Sequence, residues 1–173
     1  MFMVMSATAF DTDAPLDQRR AIIRRDGDGV EMIELSWGLR PWEPGGRPVT
    51  VIRAEGRVFP SRRCLVPASE FRHRSRGRRY TFSLANGYWF YFAGIWRPES
   101  RDWPEAYAIL TIEANADIAL YHDRQMAVLK RDQRLDWLDA NQPEHELLQP
   151  LPAGTFRVKQ DRVEETLQSS LAF

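Results

Sequence analysis

The residues with the greatest capacity for chemistry lie in one basic stretch, residues 51–79. It contains nine arginines and two acidic residues, whereas the whole chain has a formal net charge of zero. An arginine side chain stays charged at any working pH, and its planar fork of N–H donors fits a phosphate group. A dense group of arginines beside apolar and aromatic residues is typical of a protein that holds a nucleic-acid backbone. The alternative is a solvated basic face that is balanced by acids elsewhere in the fold.

Three sets of side chains could take part in catalysis or shape a site. His122 could donate or accept a proton, or it could be a turn histidine bonded to the backbone. Glu70 and His73, three residues apart, could form a proton-handling pair or could accompany the arginines at the surface. Arg53 and Glu55 point the same way if their segment is extended, so they form either an ion pair that shapes a site or a surface pair.

Two tryptophans flank the first turn of a loop rich in proline and glycine, residues 38–48. Trp37 and Trp42 lie close to the arginines in sequence, and aromatic side chains beside arginines can stack on nucleic-acid bases. They can equally pin the loop to the core, and for Trp37 we favour that second role.

The elements that must position these residues are mostly short strands. Residues 1–10 predict a buried first strand. Residues 30–37 alternate apolar and polar side chains with a period of two, which predicts another strand. Residues 63–67 predict a buried strand, and residues 70–73 are expected to continue it.

The sequence Asn86-Gly87 predicts a hairpin that joins a strand at residues 80–84 to a strand at residues 88–96. Many short strands with hairpin connections and a few short helices indicate an α+β fold. Its core is expected to be a mainly antiparallel, β-barrel-like sheet.

Two segments have sequences that could form helices. Residues 131–139 predict an amphipathic helix with Leu135 and Leu138 on one side. Residues 17–25 fit either a short helix or a strand that leads into the turn at residues 26–29.

Length and composition bound the class of protein. The 173 residues, of which 43% are hydrophobic, suit one folded domain over residues 1–173. A single cysteine, Cys64, excludes an intrachain disulfide and favours the cytoplasm, and we interpret it as a small buried hydrophobe. One cysteine and three histidines give no zinc-ligand spacing, so we expect no metal and no cofactor. No apolar run approaches the ~20 residues of a membrane span, so we expect no membrane partner.

Six short blocks occur in order between residues 37 and 139. They are Trp37-Gly38-Leu39-Arg40-Pro41, Arg53-Ala54-Glu55, Arg63-Cys64-Leu65-Val66-Pro67-Ala68, Phe92-Ala93-Gly94-Ile95-Trp96, His122-Asp123-Arg124 and Trp137-Leu138-Asp139. In this order and spacing they resemble the SRAP family, the SOS-response-associated peptidases or abasic-site processing proteins.

The resemblance implies an α+β fold with a β-barrel-like core and a basic DNA-binding groove. Family members sense abasic sites in single-stranded DNA. Their initiator methionine is removed, and the N-terminal cysteine then bonds covalently to the ring-opened sugar, assisted by an asparagine, a glutamate and a histidine. The family pattern matches at Arg53, Glu55, His122 and Arg124. The resemblance therefore implies that both arginines contact or frame the DNA backbone and that His122 is the family histidine.

The chain departs from the family pattern at the positions that carry the covalent chemistry. The differing residues are Phe2 for cysteine, Val51 for asparagine, Glu70 for glycine, His73 for glutamate and Arg74 for tryptophan. Phe2 offers no nucleophile, and Cys64 on its buried strand cannot replace one. Arg74 can still stack on a base through its planar face. The resemblance thus implies a scaffold that retains DNA binding without the family's crosslink.

Three functions stay open. The leading one is binding of single-stranded or abasic-site DNA in the DNA damage response, with no covalent step. The second is an abasic-site lyase in which the N-terminal amine forms a Schiff base and His122, His73 or Glu70 moves protons. The third is a protein-interaction module whose arginines engage an acidic partner.

Overall fold

The computed structural model of the chain describes residues 9–11 and 18–161. The strands within these residues are β1 (Phe10–Asp11), β2 (Arg19–Asp26), β3 (Gly29–Trp37), β4 (Val51–Arg53), β5 (Arg63–Ala68), β6 (Phe71–Ser75), β7 (Arg78–Leu84), β8 (Phe90–Arg97), β9 (Ala106–Glu113), β10 (Arg124–Met126), β11 (Val128–Leu129) and β12 (Phe156–Gln160). The α-helices are α1 (Ala116–Ala119), α2 (Arg134–Leu138) and α3 (Glu144–Leu147). Most of the predicted first strand, residues 1–8, lies outside the described residues. No described helix has the length and apolar character that crossing a membrane requires.

The larger sheet is organised around β9. One edge of β9 pairs parallel with β3 and β4, and its other edge pairs antiparallel with β8 and β10. Pairing continues from β3 through β2 and β5 to β8, so these strands form a ring. The ring is an incomplete barrel because Ile23 and Leu65 are the single residue pair that joins β2 to β5. The α+β fold with a mainly antiparallel, barrel-like core is therefore confirmed, although the ring does not close fully.

A second sheet contains four strands in the order β1-β6-β7-β12. The sequence led us to expect that residues 70–73 continue the buried strand that becomes β5, and this is wrong. The chain leaves the larger sheet after Ala68 and enters the second sheet as β6. The Glu70 carbonyl at this corner accepts a hydrogen bond from the Phe10 N–H at 2.8 Å, which ties β1 to the start of β6. Residues 19–26 form a strand, so the strand alternative for the 17–25 segment is the observed one.

The predicted hairpin at Asn86-Gly87 is also wrong, although a turn does form there. The Gly87 N–H donates to the Leu84 carbonyl at 3.0 Å, and Asn86 Oδ1 accepts from the Tyr88 N–H at 2.9 Å. However, β7 pairs with β6 and β12, whereas β8 pairs with β5, β9 and β11. The turn therefore connects two sheets. Six of the eight β8 residues are buried, as expected for a strand in the interior of the larger sheet.

The predicted helix at residues 131–139 is a 3-10 turn, Arg131–Gln133, followed by α2. Its apolar face differs from the expected one, because Trp137 and Leu138 are buried and Leu135 is exposed. The Trp137 indole N–H donates to the Cys64 carbonyl at 3.0 Å, so the tryptophan anchors α2 on β5. Cys64 itself is fully buried, as its interpretation as a small hydrophobe required.

Gly94 of β8 provides a test of how tightly the core is packed. A Cβ at this position would lie 2.9 Å from Cys64 Sγ and 3.0 Å from the Ala108 carbonyl oxygen. We expect Gly94→Ala to lower the free energy of unfolding by about 1–3 kcal/mol, because the backbone oxygen cannot move away easily. Urea unfolding measures the change. In the matched control Gly29→Ala, the new Cβ meets only the Asp26 oxygen, at 3.7 Å, so stability should hardly change. Equal midpoints for the two variants would contradict tight packing at Gly94.

Candidate functional site

A cleft of about 460 Å³ lies where β3, β4, β6, β9 and β10 meet. Hereafter it is called the cleft. Its lining residues are Trp37, Thr50, Val51, Arg53, His73, Thr111, His122, Arg124, Gln125 and Met126. The strand pairing explains why residues so distant in sequence meet here. Arg53 of β4 and Met126 of β10 both lie opposite Thr111 of β9, one on each edge.

The best-defined interaction at the rim is a two-point ion pair between Glu55 and Arg124. Arg124 Nη1 donates to Glu55 Oε1 at 2.6 Å, and Arg124 Nη2 donates to Glu55 Oε2 at 2.8 Å. Arg124 Nη2 also bonds the carbonyl and hydroxyl oxygens of Thr111, at 2.9 and 3.1 Å. The sequence suggested that Glu55 pairs with Arg53. The partner is Arg124 because β4 ends at Arg53 and the chain turns before Glu55 can share its face.

Glu55 is held in its ionised form. The hydrogen bond from Arg124 lowers the pKa of Glu55 to about 2, and the Glu113 backbone N–H, 3.1 Å from Oε1, acts in the same direction. Burial opposes this shift and is the weaker influence. The positive charge of Arg124 is thus largely matched by Glu55, and the position of its guanidinium is fixed by four acceptor atoms of Glu55 and Thr111.

The lowered pKa of Glu55 predicts how its contribution to stability varies with pH. A carboxyl whose folded pKa is depressed stabilises the fold above its unfolded pKa of 4.5, and this contribution disappears as pH falls towards about 2. Because the Glu55 side chain is 45% exposed, solvent screening limits the contribution to at most about 1 kcal/mol. Glu55→Gln should therefore be less stable than the parent at pH 6 and nearly equal to it near pH 2.5. Urea unfolding at both pH values measures the gap, with exposed Glu34→Gln as control. A gap that persists unchanged at low pH would refute the assignment.

His122 and His73 face each other in the cleft. Their rings stack with centroids 5.1 Å apart and planes inclined by 27°. His122 Nδ1 lies 2.9 Å from the Arg124 carbonyl oxygen and 3.1 Å from the Arg124 N–H. His122 is thus both a turn histidine bonded to backbone and a lining residue of the cleft. Since Nδ1 is engaged with backbone, Nε2 is the atom that would meet a ligand.

Trp37 has the structural role that we favoured for it. It is 5% exposed, its indole N–H donates to the Thr50 carbonyl at 3.0 Å, and its ring packs edge-on against Phe10. It still contributes to the cleft wall. Trp42, in contrast, is 70% exposed and lines a separate hollow of about 400 Å³, with the Arg57 guanidinium 5.7 Å from its ring centroid.

Glu70 and Arg74 are not brought to the cleft. Successive side chains of a strand point to opposite faces, so His73 and Arg74 of β6 diverge. Glu70 forms an ion pair with Arg72 at 3.4 Å and lies outside the described lining of the cleft. The proton-handling pair that the sequence suggested for Glu70 and His73 is therefore not assembled, and the structure pairs His73 with His122 instead.

The basic stretch divides into side chains with different roles. Arg63 is 5% exposed and belongs to the core, where Nη2 bonds Glu144 Oε1 at 2.7 Å. The exposed arginines of the stretch are Arg53, Arg57, Arg62, Arg74, Arg76 and Arg78. Residue type alone could not have separated Arg63 from its exposed neighbour Arg62.

Two positioning residues were missed by sequence reasoning. Thr111 holds Arg124, and Gln125, 1% exposed, accepts the Asn115 N–H at 2.7 Å. Asn115 in turn caps α1, the helix that leads into His122, through the Ile118 N–H at 3.0 Å. Their pattern in the sequence resembles ordinary strand and turn residues. Among the described side chains, no group of three or more His, Cys, Asp or Glu residues could hold a metal ion.

Comparison with known proteins identifies the family to which the chain belongs. The family model described as SOS response associated peptidase (SRAP) matches residues 12–169, which is nearly the whole chain. The chain belongs to the SRAP family. The family resemblance noted from the sequence blocks is therefore confirmed.

Solved structures with the same fold as this SRAP protein share little sequence with it. A protein from Bordetella bronchiseptica has a TM-score of 0.69 at 22% identity, and the match covers 85% of each chain. A protein from Bacteroides thetaiotaomicron has a TM-score of 0.68 at 22% identity, over 84% of this chain and 75% of the other. A phage-related protein from Bordetella bronchiseptica has a TM-score of 0.67 at 20% identity, over 87% and 81%. The comparison with curated proteins gives no match.

Proposed function

We propose that this SRAP protein binds single-stranded DNA, including DNA with an abasic site, in the cleft and without a thiol crosslink. The observation that carries the proposal is the chemistry of the lining. Arg53, His73 and His122 can meet an anionic backbone, whereas Val51 and Met126 offer apolar contact to a base or sugar. The described lining contains no carboxylate, and Glu55 at the rim is neutralised by Arg124.

The sulfur chemistry of the chain does not favour a thiol crosslink. Cys64 is the single cysteine of the sequence, and its side chain is fully buried on β5. Burial raises the pKa of the Cys64 thiol strongly, so the thiolate required for nucleophilic attack is suppressed. Val51 and His73 also stand in the cleft where the family pattern has an asparagine and a glutamate. The proposed ligand is thus held by charge and apolar contact, with no covalent bond.

A second candidate function is an abasic-site lyase that uses the N-terminal amine. The stacked pair of His73 and His122 favours it, because two imidazoles in one cleft can move protons during Schiff-base chemistry. In this reaction the amine would attack the sugar aldehyde, and water would leave as the imine forms. A histidine would then abstract the α-proton that initiates β-elimination of the 3′ phosphate.

One experiment separates these functions. The purified protein is titrated with a fluorescent single-stranded oligonucleotide, with and without one abasic site, at 50 and 200 mM salt. Part of each sample is then treated with borohydride and run under denaturing conditions. Salt-sensitive binding with no surviving adduct supports the proposal, and a borohydride-dependent adduct supports the lyase. If there is no binding at low salt, both fail. If any polyanion competes equally with DNA, the protein-interaction module is favoured.

We further propose that residues 1–173 act as one domain located in the cytoplasm. The single buried cysteine fits a reducing compartment.

A further inference from the structure

The outer face of the second sheet has no part in the cleft. Side chains alternate along β6, so Phe71 and His73 point inward and Arg72 and Arg74 point outward. The inward assignment is fixed by contacts, because Phe71 is fully buried and its ring stacks on Phe82 of β7. The register then determines which residues of the neighbouring strands share the outer face.

The outer face is strongly basic. Its residues form three cross-strand rows: Asp11, Arg72, Thr81 and Lys159; Arg74 and Arg79; Ser83 and Arg157. Five of these eight residues are cationic and one is acidic. Two further arginines, Arg76 and Arg78, are exposed at the tip of the β6–β7 hairpin. Acids also lie at the margins, where Glu70 pairs with Arg72 and Asp161 accepts from the Thr81 hydroxyl. Within the three rows cations thus outnumber acids. Arg74, Arg157 and Lys159 are exposed, Arg72 and Arg79 are half-buried, and Thr81 is buried among them.

The spacing of these cations suits an extended polyanion. Outward residues two apart on one strand are separated by ~6.8 Å, and residues in one row on next-nearest strands by ~9.6 Å. Arg74, Arg157 and Lys159 are all exposed. Long flexible side chains on this grid can each reach a different phosphate of one backbone. We propose that the outer face of the β1-β6-β7-β12 sheet is a second nucleic-acid surface, which holds the phosphate backbone of DNA that extends beyond the cleft.

The composition of the face favours nucleic acid over other partners. Its rows contain no aromatic or aliphatic side chain apart from the stems of Arg and Lys and the Thr81 methyl group. A protein interface usually requires buried aromatic or apolar anchors, and a membrane-binding surface requires apolar side chains that enter the lipid. Contacts to the phosphates of a nucleic acid require no apolar side chains. The proposal takes the identity of its ligand from the proposed function, but it does not require the cleft itself to bind DNA.

The test uses the full chain with two single-stranded oligonucleotides, 6 and 30 nucleotides long. The variant is Arg74→Glu/Arg157→Glu/Lys159→Glu. The matched control, Arg101→Glu/Lys130→Glu/Arg134→Glu, also reverses two arginines and one lysine, all of them exposed and away from this sheet. We expect the variant to bind the 30-mer at least tenfold more weakly, with a log–log salt slope reduced by about 2, since each lost contact removes ~0.7. Affinity for the 6-mer should change less than twofold. Thermal unfolding verifies that each variant is folded, and the corresponding triple alanine variant should show a smaller loss of the same kind.

The possible outcomes distinguish DNA binding at the outer face from DNA binding in the cleft. If the triple variant and the control lose the same affinity for the 30-mer, the effect is one of net charge and the proposal is overturned. It is also overturned if polyglutamate of matched length competes as well as DNA at the same salt, which would indicate an acidic protein partner. If the parent binds the 30-mer but not the 6-mer, and the triple variant loses that binding, the cleft function fails while the outer surface stands. If the 6-mer binds and the 30-mer gains nothing, the cleft stands and this surface fails.

Discussion

Arg63→Ala is expected to lower the free energy of unfolding by about 3–5 kcal/mol, because it leaves the Glu144 carboxylate partly buried without its counter-ion. Arg63 Nε donates to the Phe59 carbonyl at 2.8 Å and Nη1 to the Trp137 carbonyl at 3.1 Å. Nη2 bonds Glu144 Oε1, and the guanidinium lies 4.1 Å from the Trp137 ring centroid. The substitution therefore removes three hydrogen bonds and a stacked contact at once.

The best control for Arg63→Ala is its neighbour in sequence. Arg62 is exposed, so Arg62→Ala should change stability by less than about 0.5 kcal/mol. Urea unfolding followed by tryptophan fluorescence measures both variants. Glu144→Ala should be destabilising as well, because it leaves Arg63 and the Phe59 N–H unpaired, and the double variant should lose less than the sum of the two. Similar small losses for Arg63→Ala and Arg62→Ala would show that Arg63 is not a core residue.

The depressed pKa of Glu144 is consistent with a charged Arg63–Glu144 ion pair in the core. Burial alone would raise the pKa of the carboxyl, but the hydrogen bonds from the Phe59 N–H and from Arg63 outweigh burial and leave the pKa below its usual value. Glu144 is thus stabilised in its charged form by two donors. The cost of Arg63→Ala should consequently shrink as pH falls and Glu144 takes up a proton.

Arg53→Glu is expected to weaken binding of single-stranded DNA at least tenfold at low salt. Arg53 is exposed on β4, and it lines the cleft without a described ion-pair partner. Charge reversal both removes one phosphate contact and repels the backbone, so the log–log salt slope should fall by ~0.7 or more. Fluorescence anisotropy at two salt concentrations with a short oligonucleotide measures the affinity and the slope.

Arg101→Glu is the matched control for Arg53→Glu. It introduces the same change in net charge on an exposed loop that contributes nothing to the lining of the cleft. It should weaken binding by less than twofold. If both variants bind equally well, Arg53 does not contact DNA, and the location that we propose for the DNA is wrong even if the protein binds it elsewhere.

The sequence predicted the fold class and much of the strand content, since alternation and burial leave clear patterns in β3, β5 and β9. It could not predict which strands pair. Asn86-Gly87 supplies a local turn, but a turn signal does not contain the information that β8 belongs to another sheet. Such pairing depends on contacts between residues far apart in the chain, which single-sequence patterns do not encode.

The sequence predicted part of the cleft lining, namely the residues that lie in the family blocks. Arg53, His122 and Arg124 line one cleft, and the resemblance had selected each of them. The pairing of Glu55 with Arg124 depends on the register of β4 and β10 on β9. The separation of Arg74 from His73 depends on which face of β6 meets the core. Both features depend on the tertiary structure, and neither can be inferred from the spacing of residues along the sequence.

The position of β9 has a consequence for how the cleft meets a ligand. Both edges of this strand are hydrogen-bonded, and the same strand supplies Thr111 to the cleft and buried side chains to the core. Local fraying cannot release such a strand, so its amides should exchange with solvent only when the whole domain unfolds. The floor of the cleft is therefore pre-organised. A ligand would meet it in its final shape, and little of the binding free energy would be lost to ordering the protein.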